Sequence, residues 1–257
     1  MQLIPGKKRN GIHSGALRTW GMLFVAAGVI SRSVLQRSML GMGNISGAQL
    51  LEIMSASDSA MNIATTALIL QVLEACAVPI FAFLLVEGFI HTSNFKNYIL
   101  RVLGLALVTE IPYNLAISGK FLDFSSRNPV FGIVLALAVL GFYKYYEGKS
   151  LKNVSIKTVV TVAAVMWVGM LGIEYGTPTV LVAVVLWALR GNTLFANVAG
   201  ATVSILCSLS SLFMMAAPMG FLAVHSYNGE KGESNRVVDY LAYPALLLGS
   251  FLAGLIL

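Results

Sequence analysis

The feature that most constrains this chain is the recurrence of apolar runs close to the length of a bilayer crossing. A helix rising about 1.5 Å per residue needs about 20 residues to cover a hydrocarbon core of about 30 Å. Runs of this kind cover residues 17–36, 61–90, 98–117, 129–147 and 157–173. A shorter run covers 177–190, one or two helices fall within 193–224, and a last run covers 238–257. The pattern predicts an all-α, polytopic membrane bundle of eight or nine helices, some short or broken, in a single transmembrane domain over 1–257. Residues 193–224 are too long for one untilted span and short for two, so a paired or broken element is expected there. Composition agrees: 11% of residues are charged, against roughly 25% in soluble domains.

The first apolar run, Trp20 to Ile30, reads as a retained first span or a short embedded helix, because no small-residue cleavage site accompanies it and many apolar runs follow. The chain carries 17 Lys+Arg against 11 Asp+Glu. These cations are scattered through short loops with no stripe or aromatic platform, which excludes a nucleic-acid surface and leaves the lipid bilayer as partner. Lys7, Lys8 and Arg9, together with Lys144, Lys149, Lys152 and Lys157, place the N-terminus and the 91–97 loop on the cytoplasmic side of a multi-pass cell-membrane protein. Lys120 and Arg127, with Asp123 beside them, fall outside. Residues 37–60 offer a short interfacial helix. Cys76 and Cys207 sit in apolar surroundings and read as small buried hydrophobes, with no metal-ligand spacing.

Several polar groups stand inside or at the rims of these runs. Glu87 and His91, four residues apart, share one helix face, where a carboxylate can orient an imidazole for general-base work or simply pair at a rim. Arg101 follows Tyr98 and reads equally as a phosphate or carboxylate ligand and as a snorkelling rim cation. Glu110 lies deeper, ahead of Pro112 and Asn114, and nine residues or about 13.5 Å of rise from Arg101, so the two need separate partners. Arg127 and Asn128 stand at the mouth of the fourth run, and Arg190 at the end of the sixth reads as an anchor. Glu174 and Tyr175 lie in a turn-like stretch where a solvent-facing Glu is the default. His225, Tyr227, Asn228 and Glu230 crowd a stretch that is either a plain Asn-Gly turn or a cleft wall. Phosphate-loop, dinucleotide and HExxH patterns are absent, and Ser93 beside His91 lacks a third partner for hydrolase chemistry.

In LLVEGFIHTSNFKNYILRVLGLALVTEIPYNLAISG, the positions Glu87, Gly88, Phe89, His91, Thr92, Tyr98, Arg101, Glu110, Ile111, Pro112 and Leu115 resemble the TraX family, whose namesake acetylates conjugative pilin. Asn114 stands where the family often has Asp, and the likeness continues at Asn128, at residues 174–176, at Arg190 and at residues 227–232, where Lys231 replaces a usual Arg. The resemblance implies an integral membrane acyltransferase that uses acetyl-CoA or another acyl-CoA as co-substrate, with no tightly bound cofactor. The acceptor it implies is a peptide or small-molecule amine or hydroxyl. His91, Glu87 and Glu110 are then the candidate catalytic residues. Tyr98, Arg101, Asn114, Arg127, Asn128, His225, Tyr227 and Asn228 are the candidate binding residues. Two departures stand out: Gly28 and Val29 occupy the positions of an Asp-His pair in the first span, and Leu246 replaces a His near the end. A transporter or small-molecule binding protein, and a non-catalytic assembly partner, are the competing readings.

Overall fold

The computed structural model describes residues 11–41, 57–148, 150–209, 211–232 and 235–256. The basic cluster at residues 7–9, Lys149, and the expected interfacial helix over most of 37–60 lie outside the described residues. The molecule is a helical membrane bundle with no strand among the described residues.

Polar caps set where the helices begin. Helix α1 (Ser14–Ile30) starts where the His13 side chain accepts the Ala16 N–H, and it continues as a π-helix over Ser31–Met39. Ser57 caps α2 (Asp58–Ala75), Asn94 caps α4 (Phe95–Ser118), and Ser150 caps α6 (Leu151–Met170), each by accepting an N–H of the first turn. The caps explain why these helices begin three to six residues before the apolar runs that mark them in sequence. Helix α3 (Ala77–His91) continues α2 after a break at Cys76. Pro79, which has no N–H to give the Ala75 carbonyl, accounts for that break. Helix α4 ends at Gly119, whose φ of 70° closes the last turn.

Two spans are short. Helix α5 (Val130–Tyr145) has 16 residues and α7 (Gly176–Ala188) has 13, about 24 Å and 20 Å of rise. Helix α7 compensates by being wrapped: it packs against α3, α5, α6 and α8 (Thr193–Leu206), and most of its residues are buried. The α5–α7 crossing is close because both helices present glycine, a Cβ on Gly132 falling 2.9 Å from the Gly176 Cα. Residues 193–225 form the expected paired element. Helix α8 runs in, a 3₁₀ turn spans Cys207–Leu209, and a 3₁₀ stretch Leu212–Met219 leads back through α9 (Gly220–His225). The hairpin tip, with Cys207, Met214 and Ala217, packs on Ala75 and Val78 beside the α2–α3 break. Helices α6 and α10 (Arg236–Ile256) bury the least of their apolar windows, 11% and 17%, and so carry the lipid-facing outside.

Two faces result. On the first, Ile12 pairs with Tyr227, Arg18 pairs with Asp239, and Lys144 lies over the Phe89 ring. This gathers the start of α1, the end of α3, the end of α5 and the 226–232 loop. On the second, Arg127 pairs with Ile173, joining the 119–129 and 171–175 loops. Residues 11–13, the 91–97 loop and Lys144 thus share one face.

Candidate functional site

The candidate residues separate by face. Seven belong to the first. His91 ends α3 with its side chain 65% exposed, and its Nδ1 lies 2.9 Å from the Glu87 carbonyl and 3.1 Å from Glu87 Oε2. The Glu87 side chain is only 12% exposed. Tyr98 of α4 brings its hydroxyl against Gly88, where a Cβ would lie 2.7 Å away. Tyr227 packs edge-on against Phe83 at 5.1 Å, and burial together with the Glu87 charge pushes its hydroxyl up to about 12, so it remains a donor at neutral pH. Arg101 is exposed, its Nε donating to the Asn97 carbonyl one turn back. His225 is exposed at the end of α9. Asn228 is committed to its loop: its N–H donates to the Ile12 carbonyl, and its Oδ1 accepts the Glu230 N–H at 2.9 Å.

The other four lie toward the second face. Glu110 pairs with Arg127 Nη1 at 2.8 Å, while Asn128 Nδ2 donates to Glu110 Oε2 at 2.6 Å and to the Ala106 carbonyl at 2.9 Å. Asn128 Oδ1 accepts the Val130 N–H and so starts α5. Asn114 is 2% exposed, on the same helix as Glu110. Arg190 stacks on Trp187 and donates to its carbonyl, the posture of an anchor.

A third group centres on Arg32 and Glu74, neither of which was singled out in sequence. Arg32, in the π-helical part of α1, makes salt bridges to both Glu74 of α2 and Glu174. Tyr175 donates to Glu74 Oε2 at 3.1 Å. Tyr113 donates to Glu174 Oε2 at 2.9 Å and lies 2.8 Å from the Ser126 hydroxyl, which therefore donates to it. The wider π turn brings Ser31, Arg32, Ser33 and Gln36 inward together, all buried. Glu174 is thereby corrected from a solvent-facing turn residue to the second acid of Arg32, with its side chain 22% exposed. An ionisable group in a membrane helix costs about 2.5–3.5 kcal/mol at the centre. That rule, applied to the middle of the 61–90 run, marks Glu74 as surely as it marks Glu110.

The TraX protein family matches residues 51–252. The chain belongs to the TraX family. No curated protein and no solved structure matches it. Within a TraX-family frame, the first-span departure acquires a physical reading. A Cβ on Gly28 would fall 1.9–2.4 Å from the three carboxyl atoms of Glu74, so Glu74 fills the space that a side chain at position 28 needs. A carboxyl group stands beside the first helix after all, supplied by α2. Among the described residues no group of His, Cys, Asp or Glu is arranged to hold a metal ion.

Proposed function

We propose that this chain is a membrane-embedded acyltransferase, moving an acetyl or related acyl group from a coenzyme A thioester to an amine or hydroxyl acceptor at the first face. Family membership supports the reaction class, and the Glu87–His91 pair is the observation that carries the site. With Nδ1–H held by the Glu87 carbonyl and carboxylate, the imidazole presents its Nε2 lone pair outward. Nε2 takes the proton as the acceptor nitrogen or oxygen attacks the thioester carbonyl. The tetrahedral oxyanion then collapses, the C–S bond breaks, and the departing thiolate recovers the proton from His91. Arg101, exposed on the same face, binds coenzyme phosphates. Tyr98 and Tyr227 flank Glu87 as hydroxyl donors toward the acceptor.

In this reading the first face is cytoplasmic, where the lysine-rich ends lie and where acyl-CoA is available. Glu110, Arg127 and Asn128 hold the start of α5 and act on the site only through the bundle. The test is transfer of labelled acetyl from acetyl-CoA into the membrane fraction. His91→Ala is expected to lower it by about 10²–10⁴-fold at unchanged membrane expression, and undiminished transfer by the variant removes His91 from the mechanism. A transport reading draws on one observation, cavities of about 510 Å³ and 280 Å³, the first beside His13 and Asp239 and the second at the 118–126 loop. Solute flux into proteoliposomes without acyl transfer would favour it.

A further inference from the structure

The second cavity has no part in the acyltransferase reading. It opens at the end of α4, about 280 Å³ in volume, between Asn114 and Ser118 on the helix and Lys120, Asp123, Ser125 and Ser126 on the loop. That size suits a small solute better than a drug-sized molecule. Asn114 is 2% exposed, its own carbonyl accepts the Ser118 hydroxyl, and its Nδ2 has no hydrogen-bond partner among the described residues. A buried amide left with free N–H groups is costly unless something enters to accept from it.

The neighbouring chemistry is also rich in donors. Arg37 lies against the adjacent turn, its Nη1 3.2 Å from where a Gly119 Cβ would sit, with Nε and Nη2 buried and without a hydrogen-bond partner among the described residues. Lys120 adds a second cation at the lining. One oxygen of the acid there is engaged: Asp123 Oδ1 accepts both the Ser125 N–H at 3.0 Å and the Ser125 hydroxyl at 2.7 Å. Lys120 and Arg37 outnumber the one carboxylate, and this excess of positive charge beside the unpartnered Asn114 amide selects a ligand made of acceptor oxygens. Planar amide and guanidinium groups present N–H donors in pairs, which a carboxylate can meet with its two oxygens.

We propose that this cavity binds a small carboxylate-bearing solute from the second face, with Asn114 Nδ2 and Lys120 as its donors and Arg37 supplying positive charge behind the wall. The cavity floor is Tyr113, whose hydroxyl reaches Glu174 and through it Arg32, so an occupant sits next to the buried ion network. The inference is independent of acyl transfer, since it concerns the other face.

The test is calorimetric titration of the full chain in nanodiscs, in carboxylate-free buffer, with succinate, glutamate, inorganic phosphate and glucose as separate titrants. Saturable binding of a carboxylate is expected, weakened about tenfold by Asn114→Leu and also by the exposed charge reversal Lys120→Glu. The variants' thermal unfolding midpoints report whether each remains folded. Absence of carboxylate binding to the folded wild-type chain overturns the proposal. So does binding of phosphate or glucose as tight as that of the carboxylates, or binding that neither variant changes.

Discussion

Arg32 faces two acidic side chains, so its removal leaves the buried Glu74 and the half-buried Glu174 without their cation. Arg32→Met is expected to destabilise the folded chain by about 3–5 kcal/mol, the usual cost of breaking a buried pair from one side, measured by denaturant unfolding in mixed micelles. Adding Glu74→Gln should cost less than the sum of the two single changes, and strict additivity would show that the pair is not coupled. At the second face, the Ser125 hydroxyl and N–H hold the Asp123 carboxyl below its usual value. A depressed folded-state value means that this interaction is fully present above the ordinary carboxylate range and is lost as pH falls through the folded value. Ser125→Ala is expected to raise the Asp123 titration midpoint in carboxyl NMR; an unmoved midpoint contradicts the assignment. In sequence, the ionisable groups at rims and mouths were legible, and Glu110, Arg127 and Asn128 do come together. Glu74 was open to the rule that marks Glu110, but its pairing with Arg32 was not legible, because it depends on the inward turn of a π-helix that apolar periodicity does not encode.

Among elements, the hairpin of residues 193–225 meets the α2–α3 break at a close backbone approach. A Cβ at Gly220 would lie 2.2 Å from the Cys76 carbonyl oxygen, a backbone atom that cannot swing away. Gly220→Ala is expected to unseat the hairpin tip and expose Cys76 and Cys207, which are both buried. Their reaction with N-ethylmaleimide should accelerate by about tenfold or more, as local opening becomes easier. Labelling as slow as in the wild type would mean that the hairpin is not held there. The runs themselves were readable from hydropathy, including the short α7 and the oversized 193–224 segment. Element starts were misplaced wherever a polar cap precedes the apolar stripe, as at Ser57, Asn94 and Ser150. Pro79 was the available signal for the break at Cys76.

For the molecule as a whole, the proposed acyl chemistry lies on one face and the proposed carboxylate cavity on the other. With the first face cytoplasmic, an impermeant maleimide added to intact cells should label Lys120→Cys and leave Ser93→Cys unlabelled until the membrane is opened; the reverse pattern inverts the orientation. Family membership and the bundle were readable in sequence from the 84–119 block and the apolar runs. The division of the candidate residues between two faces was not, since nothing in the spacing along α4 shows what Arg101 and Glu110 meet on neighbouring elements. The most direct measurement of the central claim is acetyl-CoA binding to the purified chain in nanodiscs by calorimetry, with coenzyme A and Arg101→Ala as comparisons. Saturable binding is expected, weakened by Arg101→Ala about tenfold, or about 1.4 kcal/mol. No binding by folded protein across a panel of acyl-CoA donors would contradict it.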